Sequence, residues 1–433
     1  MDDTARPSSN GLAFKGYERR ISAEPDLALL QVGRGTPAGE YHRRFWQPVC
    51  YLSELGDVPL RVRALGEDLV AFRDLSGRIG VMHLHCCHRN TSLEYGILTE
   101  DGIRCCYHGR VFDVDGTIVD IPGDPAAETL KGEVSQGAYP TREFAGAVFA
   151  YMGPPDRIPT FPALDRFSVH GATLVPGERF DFACNWLQVK ENAIDPLHTH
   201  TLHVIPQLRG MAHFADEFEH IPQIVWTETP AGVIYLAARR VDDTVWVRSA
   251  EVYGSNIHAI SSIFESGREP KPASRPFMTF WTLPVDDDRC ITFYVSHVFD
   301  DETMPFEERR RLEVFGQKGL RPYRDRQWIP GDHDAQVGQG PINVHALEHL
   351  GSQDQGIVLF RRIVRDGIEA VARGEDPKGF CPPGGKIAPS FANDLVVPAS
   401  EIGGDADDPA ALRAFAREVS ELYRREPPMR HLL

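Results

Sequence analysis

From about Val49 the chain alternates apolar and polar positions over short runs, each closed by a turn. Val58-Leu60-Val62, Leu69-Ala71-Arg73 and Ile79-Val81 are separated by Gly-Glu-Asp and Ser-Gly-Arg. Period-two alternation bounded by such residues predicts strands. The pattern reaches Val148-Ala150-Met152, after which Gly-Pro-Pro reads as a linker. Further alternating runs lie at Ile224-Trp226, Val233-Tyr235-Ala237, Trp246-Arg248, Phe277-Thr279-Trp281 and Ile291-Phe293-Val295, with a turn at Asp286-Asp287-Asp288. Behind Asp354, a helix cap, Ile357, Phe360, Val364, Ile368 and Val371 recur at helical spacing, and a last helix is expected from about Pro409. Residues 1–25 read as a polar, partly disordered lead, followed by a helix entering Phe45-Trp46-Gln47-Pro48. Antiparallel strands followed by C-terminal helices predict an α+β protein.

Composition narrows this by exclusion. At 433 residues two domains are expected. A formal charge of −16 argues against nucleic acid and anionic membrane as partners. No apolar run approaches the ~18 residues of a membrane span, and residues 1–10 lack the apolar core of a signal peptide. Eight cysteines, four of them crowded into one stretch, do not make a disulfide scaffold. The expected compartment is the cytoplasm.

That crowded stretch carries chemistry. Cys86-Cys87-His88-Arg89 and Cys105-Cys106-Tyr107-His108-Gly109 each offer one Cys and one His. Zinc would take all four ligands in one tetrahedron, but its sites favour like residues paired at short spacing. A [2Fe–2S] centre of the Rieske kind takes both cysteines on one iron and both histidines on the other, and two mixed loops suit it. Tyr107 stands where a phenol can donate to a sulfur. Cys87 and Cys106 read as buried small residues turned from the cluster. His83 and His85 read as strand residues.

A second stretch runs from Asn185 to His203. Gln188, Asn192, Asp195 and His198 recur as one polar stripe on a helix, opposite Trp186, Val189, Ala193 and Leu197. A buried stripe of this kind is unfavourable unless it coordinates something. Asp195-Pro196 marks a cap or kink. His198 and His203 are about 140° apart on an ideal helix and share a metal only where the helix bends or ends between them.

With these residues in view, the chain resembles the aromatic-ring-hydroxylating Rieske oxygenases. Their pattern is Cys-x-His-Arg-Gly, then Cys-x-Tyr-His-Gly-Trp; Cys86, His88, Cys105 and His108 match its ligands, while Asn90 and Arg110 replace glycine and tryptophan. Asn tolerates positive φ, so the turn survives. The second stretch resembles the family's Asn-x-x-Asp-x-x-His-x4-His element. The match makes His198 and His203 ligands of a mononuclear Fe(II), Asp195 the carboxylate bridging to a neighbouring subunit's cluster histidine, and Asn192 an amide near the iron. His200 has no place in the pattern and reads as supporting or structural. The family's acid ligand precedes a Gly-Pro-Ile element; counting back from Gly340-Pro341-Ile342 selects Asp332, with Asp334 the runner-up.

The resemblance implies an N-terminal segment (1–40) packed on the catalytic domain, an all-β cluster domain (41–155) and a helix-grip iron domain (156–433). It implies an oxygenase component, a head-to-tail homotrimer, and a separate NAD(P)H reductase with or without a ferredoxin. The branch is phthalate-dioxygenase-like. O-demethylation or monooxygenation of a methoxylated, lignin-type aromatic acid is the first expectation. Ring hydroxylation or dihydroxylation of another aromatic or polycyclic substrate is the second, and a Rieske electron carrier without catalytic iron the third. Arg239, Arg240 or Arg248 could anchor a carboxylate, against the plainer reading of surface strand arginines.

Overall fold

The computed structural model describes residues 22–433 apart from 211–215, 265, 303 and 387. The polar lead expected at 1–25 therefore lies almost wholly outside the described residues. The helix Pro37–His42 begins where the Thr36 hydroxyl accepts the Gly39 N–H and proline occupies the first turn. It stops at His42, short of the expected entry into Phe45-Trp46-Gln47-Pro48. Trp46–Tyr51 is instead a buried strand antiparallel to Ala147–Tyr151. Aromatic residues favour that pairing, and the register shifts after Pro48, which has no N–H to give. Val58 is also outside its expected strand: it is exposed, and the strand is Leu60–Ala64.

Two four-stranded sheets follow. Leu60–Ala64, Glu67–Arg73, Ile79–His83 and Ala138–Tyr139 form one. Ile97–Thr99, Gly102–Arg104, Val111–Phe112 and Ile118–Asp120 form the other. Val70, Phe72, Met82, Ile103 and Phe112 pack between them. The first Cys/His loop leaves the end of Ile79–His83, and the second joins Gly102–Arg104 to Val111–Phe112.

The larger part is one twisted antiparallel sheet dominated by two long hairpins, Gly232–Val241 with Thr244–Tyr253 and Pro276–Asp286 with Arg289–Phe299. Alternation sorts its side chains. Ile234, Leu236, Val245 and Val247 face the C-terminal helix Pro409–Arg425 through Leu412, Ala416, Val419 and Tyr423. Val233, Tyr235, Ala250 and Val252 face the main core, where the helices Trp186–Ala193 and Gln355–Ala372 lie. Phe360, Val364 and Val371 are buried as their spacing predicts, each stabilising the fold by about 1.5–3 kcal/mol, while Ile357 and Ile368 are partly buried. Gly356 lets this helix touch Trp226, since a Cβ there would stand 2.1 Å from the indole nitrogen. Asp354 sits at the N-cap, its carboxylate accepting the Gly351 N–H at 2.6 Å.

Candidate active site

The two Cys/His loops share one backbone plan. Each cysteine carbonyl accepts the N–H four residues on, from Asn90 at 2.9 Å and Gly109 at 3.0 Å. Each cysteine N–H returns to the carbonyl five residues on, in Thr91 at 2.9 Å and Arg110 at 2.8 Å. The plan requires a left-handed residue in the fourth place, and Asn90 takes φ +59° where the second loop has Gly109 at +76°. Asn90 thus makes the turn for which glycine is usual. The Cys86 and Cys105 thiols are buried within hydrogen-bonding reach of each other. His88 and His108 are exposed, with ring centroids 4.7 Å apart. A paired set of thiols beside a paired set of imidazoles fits a [2Fe–2S] centre with unlike ligands on its two irons.

Three features of these loops differ from expectation or were not visible in sequence. Cys106 is exposed at its loop tip, and Cys87 is half-buried, packed against the edge of the cluster-domain core with its thiol near Cys86 and Arg110 rather than turned from the cluster. Tyr107 is 56% exposed and packs its ring against His108 and the Arg89 guanidinium. Gln136, buried, braces the first loop from behind: its oxygen accepts the Cys87 N–H at 2.8 Å, and its amide donates to the carbonyls of His83 and His85. No local motif marks Gln136. His83 ends its strand beside Tyr139, whereas His85 lies beyond that strand, exposed, with its ring bonded to the Asn90 carbonyl.

The second stretch is not one continuous helix. Asn185 caps Trp186–Ala193 by accepting the Leu187 N–H. The helix breaks at Ile194–Leu197, where Pro196 has no N–H and the Asp195 carboxylate takes the Leu197 N–H at 2.8 Å. A short turn, His198–Thr201, follows. That turn ends at Thr201, between the two histidines, so His198 and His203 meet, with their Nε2 atoms 3.2 Å apart. Asn192 and Asp195 face the same cavity, but so do Val189 and Ala193 from the expected apolar side. Gln188 faces elsewhere, donating to the Gln336 and Gly340 carbonyls.

Asp332 arrives from 129 positions downstream of His203, at the start of the helix Asp332–Val337. Its Oδ1 lies 3.4 Å from both histidine Nε2 atoms, and it accepts from Asn192 at 3.3 Å through Oδ1 and from Gln317 at 2.5 Å through Oδ2. Asp334 faces away, held by Arg321 at 2.7 Å and Arg326 at 2.5 Å. Burial opposes charge on Asp332, yet the two imidazoles hold its carboxyl well below the usual range. Burial likewise opposes charge on His198, but the carboxylates of Asp195 and Asp332 outweigh it and lift the ring to about 10. Two imidazoles and one carboxylate, mutually within ligand-sharing distance, fit a divalent iron with open positions. A second His/Glu grouping, Glu191, His345 and Glu348, already surrounds the Arg361 guanidinium. His200, in the same short turn as His198, is not among the residues lining the cavity, and its Nδ1 is buried and unpartnered.

A cavity of about 130 Å³ opens over His198, His203 and Asp332. Phe180, Phe182, Ile260, Ile263, Met278 and Phe280 give it an apolar wall. Among the described residues Arg248 is the one arginine on that wall, and it is committed to the carbonyls of Ser261 and Ser262 and to Asp394. Arg239 bonds the His220 carbonyl and the Thr199 hydroxyl, and Arg240 pairs with Asp407. Lys190 and His258, hydrogen-bonded at 3.1 Å, and Gln317 also bear on this site, and no sequence pattern marks them.

Residues 45–136 match the Rieske [2Fe-2S] domain family. Over 96% of its length the chain is 42% identical to the tert-butanol monooxygenase / tert-amyl alcohol desaturase oxygenase subunit of Aquincola tertiaricarbonis, covering 94% of that protein. The chain belongs to the Rieske-type oxygenases. Within them it sits in the phthalate-dioxygenase-like branch. It is 32% identical to the phthalate 4,5-dioxygenase oxygenase subunit of Pseudomonas putida, covering 86% of this chain and 90% of that one. It is 33% identical to the 5,5'-dehydrodivanillate O-demethylase oxygenase subunit of Sphingobium sp., covering 83% of each. Dicamba monooxygenase shares the fold, with TM-score 0.57 at 18% identity over 76% of this chain and 98% of that one.

As a Rieske oxygenase alpha subunit, the chain carries a [2Fe–2S] cluster and a mononuclear iron and is an O2-incorporating oxidoreductase. It is a terminal oxygenase, so a separate reductase supplies its electrons. The α+β reading stands: small β sheets beside a large antiparallel sheet with C-terminal helices. No helix among the described residues is long and apolar enough to cross a membrane.

Proposed function

We propose that this terminal oxygenase oxidises a C–H bond of a small, uncharged substrate seated over His198, His203 and Asp332. The observation that carries the reading is the cavity above that triad. Its wall is largely apolar, and the one arginine on it among the described residues is already neutralised by Asp394. A cavity of about 150 Å³ admits one benzene, so about 130 Å³ suits a branched aliphatic or a single ring. The relative from Aquincola tertiaricarbonis, which acts on tert-butanol, supports an aliphatic alcohol. O-demethylation of a methoxylated aromatic acid is the second reading, supported by the Sphingobium relative, and ring hydroxylation the third.

In this proposal Cys86, His88, Cys105 and His108 hold the cluster, and His198, His203 and Asp332 hold the iron. The iron supplies oxygen activation when bound, with electrons delivered from the cluster. Asn192 and Gln317 orient Asp332, and Asp195 orients His198. The aromatic wall excludes water from the reacting bond. Residues 1–40, 41–155 and 156–433 are the N-terminal segment, cluster domain and iron domain. The working unit is a cytoplasmic homotrimer in which Asp195 links the iron site to a neighbouring subunit's His108, fed by an NAD(P)H reductase with or without a ferredoxin.

The test is substrate-dependent O2 consumption by iron-loaded enzyme with a surrogate reductase. Tertiary alcohols, methoxybenzoates and unsubstituted benzoate are compared. Consumption with the alcohols and a hydroxylated product support the first reading. Formaldehyde released from methoxybenzoates, with no reaction of the alcohols, replaces it with the second.

A further inference from the structure

We infer that His258, held by the buried Lys190, donates the hydrogen bond that seats an uncharged oxygen of the substrate, a hydroxyl or an ether. This rests on the uncharged-substrate reading above. His258 stands on the strand Ile257–Ser261 and stacks flat on Phe280, with centroids 4.4 Å apart and planes at 6°. That stack fixes the ring plane. Its Nδ1 is 3.1 Å from Lys190 Nζ, so one ring nitrogen is occupied.

Lys190 is fully buried in the helix Trp186–Ala193, with no carboxylate within ion-pairing distance among the described residues. Leaving a lysine there without an acid is unfavourable, so its placement requires another explanation than an ion pair. Burial drives its amine well below the usual lysine range. Charged or neutral, the amine has an N–H to give. With Nδ1 accepting that bond, the neutral ring carries its proton on Nε2. His258 lines the cavity beside Ile260, Met278 and Phe280. Several other polar groups there are engaged: Arg248 with Asp394, Asn192 and Gln317 with Asp332, and the Thr199 hydroxyl with the Pro196 carbonyl; the Gln336 Oε1 is unpartnered but, as an acceptor, cannot donate to a substrate oxygen. A neutral N–H on an apolar wall favours a neutral acceptor, and among the described residues that wall offers a carboxylate no unpaired arginine or lysine. His258 is thus a binding residue, and Lys190 positions its proton.

The test compares holoenzyme with His258→Phe, Lys190→Met and the double variant. The probes are tert-amyl alcohol, its carbon isostere 2,2-dimethylbutane, and benzoate, with Kd from calorimetry and KM and kcat from O2 uptake. Phenylalanine keeps the stack on Phe280 and removes the donor. The expected result for His258→Phe is about tenfold weaker alcohol binding in Kd and KM, with kcat within about twofold and the hydrocarbon unaffected. Lys190→Met should weaken alcohol binding in the same direction, and the double variant should be no worse than His258→Phe. Cluster absorption and circular dichroism check folding; should Lys190→Met fail to fold, His258→Phe alone decides. An unchanged alcohol Kd in His258→Phe overturns the inference and leaves the uncharged-substrate reading standing. Wild-type enzyme that binds benzoate alone, or none of the three probes, overturns both.

Discussion

Asp195 Oδ2 lies 3.6 Å from His198 Nδ1, while Nε2 of the same ring lies 3.4 Å from Asp332. One imidazole is therefore flanked by carboxylates of different duty. The outer one stands at ion-pairing rather than hydrogen-bonding distance, and in the proposed site it favours a proton on Nδ1, which would leave Nε2 for the iron. The Asp195 carboxylate can do this because Pro196 ends the preceding helix and turns the chain. Asp195→Ala should leave iron and acid-labile sulfide content near wild type yet lower turnover by about 10–100-fold. A fully active Asp195→Ala enzyme removes the role assigned to it.

Asp332 and Asp334 share one helical turn but answer to different partners. Asp332→Ala should cut iron content sharply while sulfide content stays unchanged, because the triad loses its only anion. Asp334→Ala should keep its iron, since that carboxylate pairs with Arg321 and Arg326. Metal analysis of the two purified variants distinguishes them, and the opposite pattern would transfer the ligand role to Asp334.

The first cluster loop depends on a left-handed asparagine. Asn90→Gly should retain the cluster at wild-type level, as glycine adopts φ +59° without penalty. Asn90→Val should destabilise the loop by about 1–3 kcal/mol and lower cluster occupancy. Visible absorbance per protein is the measurement; equal occupancy in both variants would refute the backbone argument.

Glu251 gives a pH dependence with a definite sign. Burial raises its carboxyl to about 8, against about 4.3 in an unfolded chain. Between those values the folded state holds a proton that the unfolded state has released. The contribution to stability is therefore complete below about pH 4 and declines as pH rises toward 8, at up to about 1.4 kcal/mol per pH unit. Glu251→Gln keeps the oxygen that accepts the Phe391 N–H and cannot ionise. Its Tm should fall less steeply than wild type between about pH 5 and about pH 8, and parallel profiles would show that Glu251 does not ionise in this range.

Gln136 braces the first cluster loop through three hydrogen bonds to its backbone. Gln136→Ala leaves those buried groups unpaired and should cost about 1–3 kcal/mol. Faster bleaching of the cluster on mild heating, relative to wild type, checks it.

Much of this protein is legible in its sequence because much of its chemistry is local. A Cys-x-His loop and a Cys-x-x-His loop each close within six residues, so ligand type and turn geometry are written side by side. His198 and His203 are likewise five apart, and the proline between Asp195 and Leu197 announces the end of the preceding helix, though the end after Thr201 that brings the two rings together carries no such mark. Strand alternation and the spacing of Phe360, Val364 and Val371 mark the sheet and its helix, since burial of one face imposes its period on the residues.

What sequence could not decide depends on contacts between distant segments. Asp332 and Asp334 are equivalent until Arg321 and Arg326 claim one and the two histidines the other. Cys106 is expected to be buried as a small apolar residue, but the fold leaves it exposed while its neighbour Cys105 enters the core. Lys190 looks like any charged helical residue until the sheet closes over it and His258 becomes its partner. Arg248 loses its freedom to bind an anion only when Asp394, 146 residues later, pairs with it. Short-range geometry is encoded by the residues that adopt it; charge neutralisation and cavity chemistry belong to whichever groups the folded chain brings within a few ångströms, and that is set by the tertiary structure alone.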